Sequence, residues 1–231
     1  MTQIKICGIT NSKDASVVAG CGADAIGFIF HPRSPRYVAP EIVKDIIKEL
    51  PEDIITVGVF VNLDVKEVKE TVAFCGLDMV QLHGQESPAF CREFSRAQVI
   101  KAFAPRNEDD LAQLRHYAVK AILIDAYDPM LHGGTGEKAN WKMAVKVKET
   151  HPLILAGGLS LANIQEAITA VSPDAVDINS GVEIAPGRKD HAKIKEIIAL
   201  VHSLRVHRTT IFNRSNVPSP ASGRGSGGGW I

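Results

Sequence analysis

The sequence has no Cys-x-x-Cys pair and no histidine cluster at zinc spacing. Its four cysteines, Cys7, Cys21, Cys75 and Cys91, stand far apart, so no metal site and no dithiol redox pair is expected. No apolar run is long enough to cross a bilayer, so no membrane partner is expected. No Gly-x-Gly-x-x-Gly follows the first strand-like run, which weakens a dinucleotide-binding reading. Net charge is zero, but the final stretch Val206–Ile231 holds Arg208, Arg214 and Arg224 and no acid. Residues 1–205 therefore carry 23 basic and 26 acidic groups. A mildly acidic body argues against nucleic acid as a partner. The chain runs into Ile4-Lys5-Ile6-Cys7 with no signal-peptide pattern, and reduced thiols in the cytoplasm are the expectation.

What is present is a regular alternation. In 231 residues, 45% hydrophobic and 23% charged, short β-rich runs alternate with longer runs of helical periodicity. The spacing predicts strands at 4–7, 25–30, 55–60, 79–83, 99–103, 121–125, 153–156 and 175–178. It predicts helices at 12–20, 40–50, 64–74, 87–94, 108–117, 141–150, 160–170 and 191–204. Ile54-Ile55-Thr56-Val57-Gly58-Val59-Phe60 is apolar on both faces, as a parallel strand covered by helices should be. Eight strand–helix units predict an α/β fold, a single closed (β/α)8 barrel over residues 1–205. An open doubly wound sheet is the competitor. From Val206 the pattern stops, and residues 206–231 read as a low-complexity, flexible tail with no catalytic role.

Two glycine turns follow the last two strands: Ala156-Gly157-Gly158-Leu159 and Ile178-Asn179-Ser180-Gly181-Val182. Small residues there let the backbone approach a ligand, and N–H groups at the following helical turns favour an anion. Such turns after strands seven and eight form the phosphate cup of many barrels, so a small phosphorylated substrate is expected. Alternate residues of a strand share a face. This sets Lys5 with Cys7, Gln81 with His83, Leu123 with Asp125, and Asp177 with Asn179. In a barrel these polar side chains turn inward near the C-terminal mouth, where active sites sit. Taken singly, Cys7 is an ordinary core residue, His83 a loop histidine, and Arg36 a solvated loop arginine. Asp125 and Asp177 read equally as loop caps and as functional groups. Together they point to one site.

The same residues lie in an ordered series of motifs: Lys5–Thr10, Gly27–Phe30, Ser34–Val38, Val57–Asn62, Val80–Gly84, Gly133–Gly136, Leu155–Leu159, Asp177–Glu183 and Pro186–Asp190. On these the chain resembles the phosphoribosylanthranilate isomerase family from residue 3 to about residue 204. The stretch Ala139-Asn140-Trp141 departs from the family's aromatic–Asp–Trp ending.

The resemblance implies an Amadori rearrangement, in which an acid opens the ribose ring and a base removes the C2′ proton, with no cofactor. It implies Cys7 as general base and Asp125 as general acid. Arg36 is expected on the anthranilate carboxylate and Asp177 on the ribose hydroxyls. Lys5 and His83 belong to the substrate site, and Gly157, Gly158, Ser180 and Gly181 to the phosphate. Lys5 is expected to favour the Cys7 thiolate, and a dry barrel mouth to keep Asp125 protonated. The alternatives are a histidine-pathway aminoaldose isomerase, which would carry aspartate in place of Cys7, and a phosphate-binding barrel without catalysis, which would lack the base or the acid. Monomer and homodimer are both compatible with the sequence.

Overall fold

The computed structural model describes residues 2–105, 107–125, 136–204 and 209–214. Eight strands form the barrel: β1 (Gln3–Ile6), β2 (Ala25–Ile29), β3 (Ile55–Phe60), β4 (Met79–Leu82), β5 (Val99–Phe103), β6 (Ala121–Asp125), β7 (Leu153–Ala156) and β8 (Ala175–Ile178). Each pairs in parallel with its sequence neighbour, and β8 returns to β1 through Lys5 opposite Asp177, closing the ring. Helices connect them: α1 (Ser12–Gly20), α2 (Pro40–Glu49), α3 (Val65–Cys75), α4 (Pro88–Cys91), α5 (Glu108–Gln113), α6 (Gly136–Val147) and α7 (Ile164–Val171). A ribbon, β9 (Glu183–Ala185) and β10 (Arg188–Lys189), and then α8 (His191–Ser203) complete the chain order. The closed ring excludes the open-sheet alternative.

Local chemistry sets the helix boundaries. Asn11 caps α1 by accepting from the Asp14 amide. Asp64 and Glu67 form a reciprocal capping box at α3, and Gly76 ends that helix in the left-handed region at φ 73°, where lack of a Cβ removes the steric penalty. All residues of β3 are buried, as a strand packed on both faces requires. One apolar layer fills the barrel interior, with Val57, Met79, Ile100, Leu123 and Ile154 among its members. A second, larger layer lies between the strands and the helices.

Several expectations change, beginning with α6, which spans Gly136–Val147 where the spacing predicts 141–150. The helix predicted over 87–94 is a single turn, Pro88–Cys91, followed by a 3-10 turn at Arg96–Gln98. The helix predicted from Ser160 starts at Ile164, because Asn163 accepts from Ser160 N and donates to Gly158 O, which holds this stretch as a loop. The described chain also includes packed residues beyond 205. Residues 209–214 cross the N-terminal floor of the barrel, with Ile211 and Phe212 buried in the interior layer. Gln3 Oε1 accepts from the Ile211 and Phe212 amides at 2.6 and 2.8 Å, and Gln3 Nε2 donates to Phe212 O at 3.0 Å. Arg214 meets Asp78 at 3.0 Å. Two apolar residues flanked by polar ones leave no periodic pattern, and the segment therefore reads as tail. The Ser219–Gly229 run lies outside the described residues.

Candidate active site

The barrel presents a cleft of about 420 Å³ at the C-terminal ends of its strands. Cys7, Arg36, His83, Asp125, Gly157, Gly158, Asp177 and Ser180 all line it. Lys5 lies beneath, fully buried and bonded to Asp177. Gly181 is not among the lining residues; it packs against the backbone of Leu159 and Ser160. A wider depression of about 690 Å³ at the opposite end, beside Lys148, Asp174 and Thr209, gathers none of these residues.

The floor is a polar stack. Lys5 Nζ bonds Asp177 Oδ2 at 2.8 Å. Burial works against the Lys5 ammonium, but Asp177 and then Cys7 hold its pKa above the ordinary lysine value. For Cys7 the balance is reversed. Burial raises the thiol above its usual value, Lys5 opposes this, and Asp177 adds to it. The Lys5 charge thus acts on Cys7 as expected but does not win, because burial outweighs it and Asp177 adds to the burial. Gly27 on β2 makes room for this pair: a Cβ there would lie 2.8 Å from Cys7 Sγ and 3.0 Å from Lys5 Nζ.

Asp125 ends β6 at the rim, with its side chain 38% exposed. It lies 3.9 Å from His83 Nε2. The loop after it, including Gly133-Gly134-Thr135, lies outside the described residues, as do the side chains of Ala139 and Asn140. His83 is held below the ordinary histidine pKa, chiefly by burial, with Asp125 and Asp177 opposing. Its loop is fixed from below by Lys101, which donates to Leu82 O, Gly84 O and Glu86. Glu86 in turn accepts from the Gly84 and Asn62 amides.

Arg36 stands on the loop between β2 and α2. Its Nε and Nη2 donate to Glu183 at 2.9 and 2.6 Å. Glu183 also accepts from Lys189 at 2.9 Å and from Gly187 N at 3.2 Å. Expectation placed a substrate carboxylate on this guanidinium. Glu183 already occupies one edge, so a second carboxylate must come to the Nη1 side. Glu183 lies within the motif Asp177–Glu183, yet nothing in its spacing announces a contact across 147 residues with Arg36.

The two glycine turns pack on each other. A Cβ at Gly181 would lie 1.9 Å from the carbonyl oxygen of Leu159, so only glycine lets the β8 turn close on the β7 turn. Gly157 and Gly158 adopt φ of 89° and 61°. Together the turns form one wall of small residues, with the Cys7 thiol at the floor and Asp125 and Arg36 on the remaining rim.

The sequence profile of the family described as N-(5'phosphoribosyl)anthranilate (PRA) isomerase matches residues 4–199. The chain belongs to this family. It is 51% identical over 210 residues to the N-(5'-phosphoribosyl)anthranilate isomerase of Syntrophus aciditrophicus, covering 91% of each chain. The Geobacter metallireducens protein of the same name is 52% identical over 198 residues, with 86% of this chain and 98% of that one covered. The structure is similar to phosphoribosyl anthranilate isomerase from Thermotoga maritima, with TM-score 0.79, 40% identity and coverage of 88% and 100%. It is also similar to a phosphoribosyl anthranilate isomerase crystallised with reduced 1-(o-carboxyphenylamino)-1-deoxyribulose 5-phosphate, with TM-score 0.77, 39% identity and the same coverage. The Thermotoga maritima protein is also described as dimeric. The chain is therefore an aldose–ketose isomerase of the phosphoribosylanthranilate isomerase family, and the (β/α)8 fold agrees.

Proposed function

We propose that Cys7 and Asp125 are the base and acid with which this isomerase converts N-(5-phosphoribosyl)anthranilate to 1-(2-carboxyphenylamino)-1-deoxyribulose 5-phosphate in tryptophan biosynthesis. The observation that carries this is geometric. A thiol at the end of β1 and a carboxylate at the end of β6 open on one cleft, whose other wall is two interlocked glycine turns.

The substrate phosphate sits on Gly157, Gly158, Ser180 and Gly181, held through backbone N–H groups. The anthranilate carboxylate approaches Arg36 from the edge that Glu183 leaves. Asp125 protonates the ring oxygen, and the ring opens to an iminium. Cys7 then removes the C2′ proton, the electron pair moves to the iminium nitrogen, and the enolamine tautomerises to the ketone. Each step is a proton transfer within one substrate, so neither metal nor cofactor enters the scheme. His83, close to Asp125, completes the rim, and Asp177 accepts from a sugar hydroxyl. Cysteine where a histidine-pathway isomerase is expected to carry aspartate favours the anthranilate substrate.

The protein works in the cytoplasm as a monomer or homodimer on a small phosphorylated substrate. No described helix is long and apolar enough to cross a membrane. The test is loss of anthranilate fluorescence as purified protein turns over phosphoribosylanthranilate in EDTA. No conversion would overturn the proposal.

A further inference from the structure

Gln81 stands on β4 two residues before His83 and shares its face. It is 1% exposed and lines the cleft. Its Nε2 lies 2.9 Å from His83 Nδ1. In this arrangement the amide N–H donates, Nδ1 accepts, and the His83 proton rests on Nε2, the nitrogen facing Asp125. The other end of the amide, Oε1, is buried and has no hydrogen-bond partner. Asp177 presents the same situation: Lys5 occupies Oδ2, while Oδ1 is buried and unpartnered.

Buried acceptors without donors are uncommon and ask for an explanation. Here both belong to side chains that line the same cleft. They come from β4 and β8, which are on opposite sides of the closed ring. Both are acceptors, so the complementary ligand brings donors. Neither can be served by a phosphate or carboxylate oxygen, and both suit hydroxyl groups borne along a short sugar chain between the two walls.

We propose that Gln81 is a sugar-binding residue of this site: Oε1 accepts from one hydroxyl of the pentose chain while Asp177 Oδ1, on the facing strand, accepts from another. The same Gln81 side chain orients His83 toward Asp125, so sugar binding and rim geometry are joined through one amide. The phosphate and the aromatic carboxylate anchor the two ends of the substrate. The Gln81–Asp177 pair then sets the rotation of the chain between them. This inference rests on the proposed substrate.

The test is a cycle of binding measurements by calorimetry. The probes are reduced 1-(o-carboxyphenylamino)-1-deoxyribulose 5-phosphate, its analogue N-(5-phosphopentyl)anthranilate lacking the sugar hydroxyls, and inorganic phosphate. The proteins are the wild type, Gln81→Met, and Gln81→Asn, which keeps an amide but withdraws it by one methylene. Loss of one buried hydrogen bond predicts about tenfold weaker binding of the reduced aminoketose by Gln81→Met. The penalty for removing the hydroxyls should shrink by a similar factor in that variant, with phosphate binding unchanged. Gln81→Asn should weaken the reduced aminoketose in the same direction and serves if Gln81→Met does not fold. Equal hydroxyl penalties in wild type and folded variants would overturn the role of Gln81 alone. A wild type that neither binds the reduced aminoketose nor converts phosphoribosylanthranilate would overturn the substrate assignment, and this inference with it.

Discussion

Lys5 Nζ lies 2.8 Å from Asp177 Oδ2 at the buried floor of the cleft, and the two residues are directly opposite in the β1–β8 register. Together with burial, this pair sets the electrostatics of Cys7, the proposed base. A lone buried ammonium beside Cys7 would pull the thiol toward thiolate. With its counterion in place, Lys5 offsets only part of the burial that holds the proton on sulfur. The wild-type thiol therefore titrates above its usual range, and in the proposed mechanism the thiolate is the form that would accept the C2′ proton.

The pH dependence follows from that sign. Because the base is active when deprotonated and its pKa is raised, kcat/KM should climb by about tenfold per pH unit below the Cys7 pKa. It should not level off at neutral pH. Asp177 pushes the Cys7 pKa upward, so Asp177→Asn should move this limb to lower pH while raising KM. Steady-state profiles of both proteins check this, and a limb moved to higher pH would contradict it.

Gly27 should be intolerant for a reason of reactivity. A methyl group there would meet Cys7 Sγ and Lys5 Nζ at 2.8 and 3.0 Å. Gly27→Ala is expected to lower kcat by about tenfold or more, since small misplacements of reacting groups are costly. Binding of inorganic phosphate, proposed to rest on the β7 and β8 turns, should stay as in wild type. Kinetics together with phosphate inhibition separate the two effects.

Glu183 neutralises two cations at once. Burial raises its pKa, but Arg36, Lys189 and the Gly187 amide outweigh that and depress it. A depressed carboxylate contributes stability that is present above its unfolded pKa and lost as pH falls through the folded value. Glu183→Gln would leave Lys189 buried without its counterion, at a cost of about 3–5 kcal/mol. It should also raise KM by loosening Arg36. Urea titrations should show the stability gap at pH 7 and its closure in acid; a gap independent of pH would contradict the assignment.

The chain end makes a sharp comparison. Ile211 and Phe212 are buried in the barrel floor and fastened by Gln3. Phe212→Ala should cost about 3–5 kcal/mol, with the folded fraction still active because the floor is remote from the cleft. Removing residues 215–231 should leave the melting temperature unchanged, whereas removing 206–231 should lower it substantially. Equal melting temperatures for the two truncations would show that the floor contributes nothing.

Much of this was legible because barrels obey strand parity. Once β1, β4, β6 and β8 are recognised, alternation alone puts Lys5 with Cys7, Gln81 with His83, Asp125 at a strand end, and Asp177 inward. The two glycine turns were legible for the same reason, since each follows an apolar strand. The partners of these residues were not. Glu183 meets Arg36 only because the β8 turn folds back over the β2 loop, and Lys101 on β5 meets Glu86 only because the loop after β4 lies against the neighbouring strand. The 209–214 segment escaped because a pair of apolar residues carries no period. The raised Cys7 thiol escaped because sequence shows the helpful lysine but neither its counterion nor the burial.

The most direct measurement is steady-state conversion of phosphoribosylanthranilate, followed by anthranilate fluorescence, for the wild type, Cys7→Ser and Asp125→Asn. The wild type should turn over without added metal or nucleotide. Each variant should lose about 10²–10⁴ in kcat, the usual contribution of one acid or base, with inorganic phosphate still bound as in wild type. Unchanged kcat in both variants would show that the thiol and the carboxylate share the cleft without doing its chemistry.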